Sequence, residues 1–207
     1  MSDSEINPLY EQIIDDLMHQ KFSIADNFFS PEEVAVLRKS LLAKFEEDHF
    51  KKSAIGNQAN EQIMDAIRGD FILWLDEEHA NDAEKLYFDR INDFVHYLNR
   101  TCFLGIRDKE FHYALYPEGT FYKRHLDTFQ NDSRRKLSMV CYLNEEHWQM
   151  DFGGELTIYK NENGVETERN IIPQQGRMVI FESQVLEHEV KPVKQPRLSI
   201  TGWLKTR

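Results

Sequence analysis

After about residue 104 the chain stops reading as helix and becomes a series of short alternating segments, which limits the fold more than any other feature of the sequence. Eight segments rich in β-branched and aromatic residues lie near 110–116, 120–125, 137–143, 154–160, 168–172, 177–182, 186–191 and 197–204. Gly, Pro, Asn and Asp separate them, as expected between strands. Successive side chains of a strand point to opposite faces. Eight such strands hide their apolar faces only against one another, so an antiparallel sandwich or barrel is expected.

The first hundred residues carry a different period. Tyr10, Ile13, Ile14, Leu17 and Met18 recur at helical spacing after Pro8. Residues 22–29 read as a short strand and loop. Ser30-Pro31-Glu32-Glu33 is a helix start, in which Ser30 caps, Pro31 takes the first position and Glu33 completes a capping box. Val34, Val36, Leu37, Leu41, Leu42 and Phe45 follow on one broad face. A short helix is expected over 59–67. A longer one is expected over 81–100, with Leu86, Phe88, Ile91, Phe94, Val95 and Leu98 as its buried stripe. No linker, repeat or low-complexity segment interrupts the chain. The expectation is one domain over 1–207, mainly β, with the helices of 1–104 packed on one face of the strands of 105–207.

Composition narrows the partners. The formal net charge is -11, whereas a phosphate-binding surface needs the opposite sign. Nucleic acid is not an expected partner. Lys123, Arg124, Arg134, Arg135 and Lys136 form a local basic cluster that could receive an acidic or polar partner, though it reads first as a solvated hairpin. Cys102 and Cys141 lack metal or disulfide spacing and read as buried thiols. No apolar stretch approaches the roughly 20 residues of a membrane span. The acidic, polar start is not a secretory signal. The expected setting is cytoplasmic, away from membranes.

His125-Leu126-Asp127 ends one expected strand. Residues i and i+2 share a face there, so an imidazole and a carboxylate can converge on one ion. His188, in Val185-Leu186-Glu187-His188-Glu189-Val190, is the best third ligand. Two histidines and one carboxylate leave positions open on an octahedral iron(II), the arrangement of non-haem oxygenases. The other histidines, His19, His49, His79, His96, His112 and His147, read as packing or surface residues. Nine residues after His188 comes Arg197, whose planar fork can hold a carboxylate in bidentate fashion. No His-Glu-x-x-His, nucleophile elbow, phosphate loop or dinucleotide fingerprint is present.

These residues carry a family resemblance. The stretch Tyr116 to Asp127 (YPEGTFYKRHLD) resembles the first metal motif of prolyl 4-hydroxylases. Tyr142-Leu143-Asn144, Gly153-Gly154-Glu155-Leu156, His188 through Arg197, and Ile200-Thr201-Gly202-Trp203 follow in the family's order. Ile67-Arg68-Gly69-Asp70-Phe71-Ile72-Leu73-Trp74 is similar to a segment of the oxygen-sensing prolyl hydroxylases that act on hypoxia-inducible factor, a branch with bacterial relatives.

The resemblance implies a double-stranded β-helix, or jelly roll, supported by N-terminal helices. It implies iron(II) on His125, Asp127 and His188, with 2-oxoglutarate as cosubstrate, dioxygen as oxidant and ascorbate as reductant. Arg197 and Tyr142 would bind the distal carboxylate of 2-oxoglutarate, with Tyr116 nearby. Leu156, Val140 and Val190 would form apolar walls, and Trp203 would lie close to the metal. Arg68 and Asp70, paired with each other, and Tyr122 would face the substrate, a prolyl residue of a protein. Elongation factor Tu is one such protein by analogy with the bacterial relatives. The loop at about 50–62 and that from Thr128 to Lys136 have their own sequences and would choose the partner. Two alternatives stand beside this reading. One is a 2-oxoglutarate oxygenase acting on a small molecule or other non-prolyl substrate. The other is a non-catalytic β-roll binding module.

Overall fold

The computed structural model describes residues 6–53, 66–128, 134–162 and 164–206. Its elements are α1 (Pro8–Gln20), β1 (Phe22–Ala25), α2 (Pro31–Glu46), β2 (Lys51–Lys52), β3 (Phe71–Trp74), α3 (Asp82–Cys102), β4 (Asp108–Tyr116), β5 (Tyr122–His125), β6 (Arg135–Tyr142), β7 (Leu156–Glu162), β8 (Val165–Ile171), β9 (Met178–Glu182), β10 (Glu187–Val190) and β11 (Arg197–Lys205). The eight expected strands are all present, each within three residues of its expected ends.

The helices begin where their caps dictate. The Ser30 hydroxyl accepts from the Glu33 amide at 3.2 Å, and the Glu33 carboxylate accepts from the Ser30 amide at 2.8 Å. Asn81 and Glu84 repeat this reciprocal box at α3. Each box satisfies donors that the first helical turn leaves free.

The strands form two antiparallel sheets. The larger has the order β1-β9-β6-β11-β4-β3-β2, and the smaller β5-β10-β7-β8. Alternation divides the larger sheet into two faces. Phe111, Tyr113 and Leu115 of β4, Leu137, Met139 and Cys141 of β6, and Leu198, Ile200 and Leu204 of β11 face the helices. Ala114, Tyr116, Val140, Tyr142, Val179 and Phe181 face the smaller sheet, where Leu156, Ile158, Ile171 and Val190 meet them. The fold is the expected jelly roll with helices on one outer face. Its interior, between the sheets, is where the chemistry-bearing residues of β4, β6 and β11 point.

The structure corrects several expectations. Met18 and Val36 are exposed, and Ile14, Leu42, Phe45, Leu86 and Val95 are only half-buried. A helix buries an arc no wider than its contact with the sheet. Tyr10, Ile13 and Leu17 fill that arc in α1, as do Val34, Leu37 and Leu41 in α2. Tyr87 and Tyr97 join the buried stripe of α3. The expected helix over 59–67 lies largely outside the described residues, and its described end, 66–67, is a turn. The substrate loop at about 50–62 is described only to residue 53, where β2 pairs with the unanticipated β3. Residues 129–133 of the Thr128–Lys136 loop also lie outside the described residues. Cys141 is buried, but Cys102, at the end of α3, is half-buried; both are free thiols. Arg135, expected in a solvated hairpin, is buried on β6. Its guanidinium donates to Glu110 at 2.7 and 3.0 Å and lies 3.5 Å from the Trp203 ring centroid.

Candidate metal centre

His125 and His188 are cross-strand partners on β5 and β10. The pairing that joins His188 to His125 also joins Val190 to Tyr122, so β5 carries one more residue than β10 over this stretch. Such a bulge re-aims a side chain. Here it turns the His125 ring toward His188, with centroids 4.3 Å apart. Asp127 follows just beyond β5 and completes the group. Its two oxygens lie 3.5 Å from His125 Nε2 and 3.6 Å from His188 Nε2. The three ligand atoms all fall within 4.8 Å of one another.

The surroundings fix which atoms face the centre. His125 Nδ1 lies 2.7 Å from the Lys123 carbonyl, and His188 Nδ1 lies 3.2 Å from the Leu186 carbonyl. A carbonyl only accepts, so each Nδ1 carries the proton and each Nε2 offers a lone pair. Ser138 donates to Asp127 Oδ2 at 2.7 Å and hydrogen-bonds the Ser183 hydroxyl at 2.9 Å. Burial pushes His188 down to about 4, so it is neutral near pH 7. Burial works against the charge of Asp127, but His188, His125 and the Ser138 hydroxyl outweigh it and hold the carboxyl well below its usual range. Two imidazole nitrogens and one ionised carboxylate on a common side are the donor set that suits iron(II) with positions left open.

The group opens on a cavity of about 800 Å³. Arg197 begins β11 on its wall and is 1 % exposed. Its guanidinium lies 5.0 Å from the Tyr116 ring centroid and 4.9 Å from that of Tyr142. It makes no ion pair among the described residues, and neither its Nε nor the Tyr142 hydroxyl has a hydrogen-bond partner. A buried cation without a counter-charge is costly unless a ligand supplies one. A carboxylate presented from the cavity fits that need. Val140, Leu156 and Val190 line the same cavity, as do Tyr116, Tyr122, Arg68 and Trp203. Burial pushes the Tyr116 phenol far up and that of Tyr122 to about 12, so both remain proton donors.

Of the thirteen residues singled out in the sequence, Tyr142 and Asp70 do not line the cavity. Tyr142 sits behind Arg197, and Asp70 is fully buried behind Arg68, which it binds through two contacts of 2.8 and 2.6 Å. Sequence reasoning missed His112, Trp74 and Arg135 on the cavity wall. His112 in particular read as a packing residue. The signal was the period of two: His112, Ala114 and Tyr116 share one face of β4, and His112 pairs with Trp74 on one side and Thr201 on the other.

Comparison with known proteins agrees with this arrangement. The family model described as 2OG-Fe(II) oxygenase superfamily matches residues 111–205. A prolyl-4-hydroxylase from Pseudomonas putida is 36 % identical, covers 97 % of this chain and 100 % of its own, and superposes with a TM-score of 0.84. A prolyl hydroxylase from Trichoplax adhaerens, solved in complex with a hypoxia-inducible factor oxygen degradation domain peptide fragment, is 28 % identical. It covers 95 % of this chain and 89 % of its own, with a TM-score of 0.85. A prolyl 4-hydroxylase from Phytophthora capsici, at 20 % identity and a TM-score of 0.73, shares the fold over 99 % of this chain and 68 % of its own. No curated protein matches the chain.

Proposed function

We propose that this chain, which belongs to the 2OG-Fe(II) oxygenase superfamily, hydroxylates C4 of a prolyl residue in a protein substrate. The family implies iron(II), 2-oxoglutarate and dioxygen. In this reading His125, Asp127 and His188 hold the iron through two Nε2 atoms and a carboxylate oxygen. Arg197 binds the distal carboxylate of 2-oxoglutarate, and Tyr142 and Tyr116 flank it. When bound, the iron couples oxidative decarboxylation of 2-oxoglutarate, which yields succinate and carbon dioxide, to insertion of one oxygen atom of dioxygen into a C–H bond.

The chain's own residues prepare that chemistry. The fixed Nδ1 protons of the histidines keep both Nε2 lone pairs aimed at one point. Val140, Leu156 and Val190 exclude water from the cosubstrate. Trp203, Arg68 and Tyr122 line the same cavity, on which a substrate segment would rest. The observation that carries the reading is Arg197: a buried guanidinium with no ion pair among the described residues and an Nε without a hydrogen-bond partner, in the cavity of the three metal-type ligands. Prolyl specificity is supported by the kinship with the Pseudomonas putida prolyl-4-hydroxylase.

The test is direct. Purified protein is incubated with iron(II), ascorbate, 2-oxoglutarate and a proline-containing peptide of elongation factor Tu. The expected result is a mass gain of one oxygen on the peptide, with matching succinate. Succinate without peptide oxidation would instead support a small-molecule or other non-prolyl substrate. Absence of 2-oxoglutarate binding would remove the enzyme reading.

A further inference from the structure

The resemblance places Arg68, Asp70 and Tyr122 at the substrate. Their contacts in the structure run toward the metal centre. Residues 67–69 lie antiparallel to β5, with the Gly69 amide donating to the Phe121 carbonyl at 3.1 Å and the Lys123 amide to the Ile67 carbonyl at 2.9 Å. Gly69 permits this approach, because a Cβ there would meet Thr120 Cβ and Cγ2 at 2.8 Å. The chain then passes into β3 of the larger sheet. The segment therefore ties the strand that carries His125 to the opposite sheet.

The side chains form a second tie. Asp70 is fully buried and accepts from Nε and Nη2 along one edge of the Arg68 guanidinium, one bond to each carboxylate oxygen. Burial works to raise Asp70, but Arg68 overrides it and holds the carboxyl low. The Arg68 guanidinium carbon lies 4.3 Å from the Tyr122 ring centroid. The Tyr122 ring stacks on His125, with centroids 3.7 Å apart and planes 17° from parallel. A ring face covered by an imidazole at that distance has no room for a guanidinium, so the two groups take opposite faces of Tyr122. Residues three apart would point to opposite sides of a regular strand. The bulge in β5 brings Tyr122 and His125 to the same side. Asp70, Arg68, Tyr122 and His125 thus make a continuous stack from a buried carboxylate to a ligand ring.

We propose that the Arg68-Gly69-Asp70 segment and Tyr122 are positioning residues for the metal: they hold the His125 imidazole at the angle that directs its Nε2 to the ion. His125 needs such a brace more than His188. It is the half-exposed member of the three and has solvent on one side, whereas His188 is buried and packs edge-on against Phe181. This inference rests on the metal reading above.

The test measures metal affinity, not turnover. Mn(II) is titrated into the full chain, with 2-oxoglutarate present, and free Mn(II) is read by electron paramagnetic resonance. Three variants are compared with the wild type. Tyr122→Leu removes the stacking face, and Tyr122→Phe keeps it. Arg68→Met with Asp70→Asn removes both charges together, so that no buried carboxylate is left alone. Loss of groups that orient a ligand typically weakens metal binding 10- to 100-fold. A rise in Kd of about tenfold or more is therefore expected for Tyr122→Leu and the double variant, with Tyr122→Phe close to wild type. A lower melting temperature with unchanged Mn(II) affinity would make the stack purely structural and overturn the proposal. Unchanged Mn(II) affinity with a raised KM for peptide would return Arg68 to the substrate entrance and also overturn it. Failure of the wild type to bind Mn(II) would sink the metal reading, and this inference with it.

Discussion

Replacing Arg197 with methionine separates a ligand-binding arginine from a structural one by the sign of two effects. The guanidinium is 1 % exposed, without an ion-pair partner among the described residues, and its nearest companions are the rings of Tyr116 and Tyr142 at 5.0 and 4.9 Å. In the ligand-free protein, methionine relieves a desolvated charge and loses two cation–π contacts worth about 2 kcal/mol each at a desolvated site. Because burying an unpaired charge costs several kcal/mol, ligand-free stability should stay level or rise. A gain of 1 kcal/mol raises the melting temperature of a chain this size by about 2–4 °C. Binding of 2-oxoglutarate moves the other way. Two charge-assisted hydrogen bonds at about 1.5–3 kcal/mol each disappear, which is at least ~3 kcal/mol, or more than a hundredfold in Kd. Calorimetric titration of 2-oxoglutarate into the Mn(II)-loaded protein measures the loss, and scanning calorimetry without ligand measures the stability. A variant that melts well below wild type while binding 2-oxoglutarate normally would refute the reasoning.

Other consequences follow from particular contacts. His188→Ala removes one of the three proposed ligands, so Mn(II) binding in titration should fall beyond detection while the protein still melts cooperatively. Gly154 has φ +74°, and a Cβ there would meet Val193 Cγ1 at 2.8 Å and Arg197 Cδ at 3.0 Å. Gly154→Ala should therefore displace Arg197 and weaken 2-oxoglutarate binding with little change in Mn(II) affinity. His112 is pushed by burial to about 3, below its unfolded value near 6.5. Between those pH values the unfolded chain binds the extra proton, so stability falls as pH drops through that window, by at most about 5 kcal/mol. Thermal melts from pH 7 to pH 4 should show that decline, and His112→Leu should make it shallower, the buried His188 supplying what remains. Leu37→Ala, in the fully buried face of α2, should cost about 2–5 kcal/mol and leave metal affinity unchanged.

What was legible in the sequence depended on how local its cause is. The capping box at Ser30 acts within four residues, and that helix starts where the sequence puts it. Strand alternation is equally local, and it places Val140, Tyr142 and Trp203 on their faces. β3 was missed because Phe71-Ile72-Leu73-Trp74 has no alternation of its own. It is a strand because β4 offers it an edge, with Ile72 against Ala114 and Trp74 against His112. Arg135 looked like part of a solvated basic cluster because its partners, Glu110 and Trp203, lie 25 and 68 residues away in sequence. The bulge in β5 was likewise illegible, since it exists only relative to β10.

The nine-residue offset from His188 to Arg197 shows why part of a three-dimensional site is still readable along the chain. His188 stands on β10 of the smaller sheet, and Arg197 opens β11 of the larger one. Packed sheets are separated by roughly 10 Å. Residues 191–196 span that gap, pinned where the Lys191 amide donates to the Glu155 carbonyl and the Lys194 amide to the Phe152 carbonyl. Gly153 lets the crossing pass, since a Cβ there would lie 2.3 Å from the Pro192 carbonyl oxygen. Six residues are more than a gap of that size needs when extended, at about 3.3 Å per residue, so the turn in the connection, held at both pins, sets where Arg197 enters β11, and an insertion would shift Arg197 from its place over the Tyr142 ring. The offset carries information because, under the proposed function, a metal ligand and the arginine for the cosubstrate carboxylate sit at the two ends of the crossing. His125 and Asp127 have no such tether to Arg197. Their convergence depends on β5 docking beside β10, and the Arg68-Gly69-Asp70 tie secures that docking from the opposite sheet.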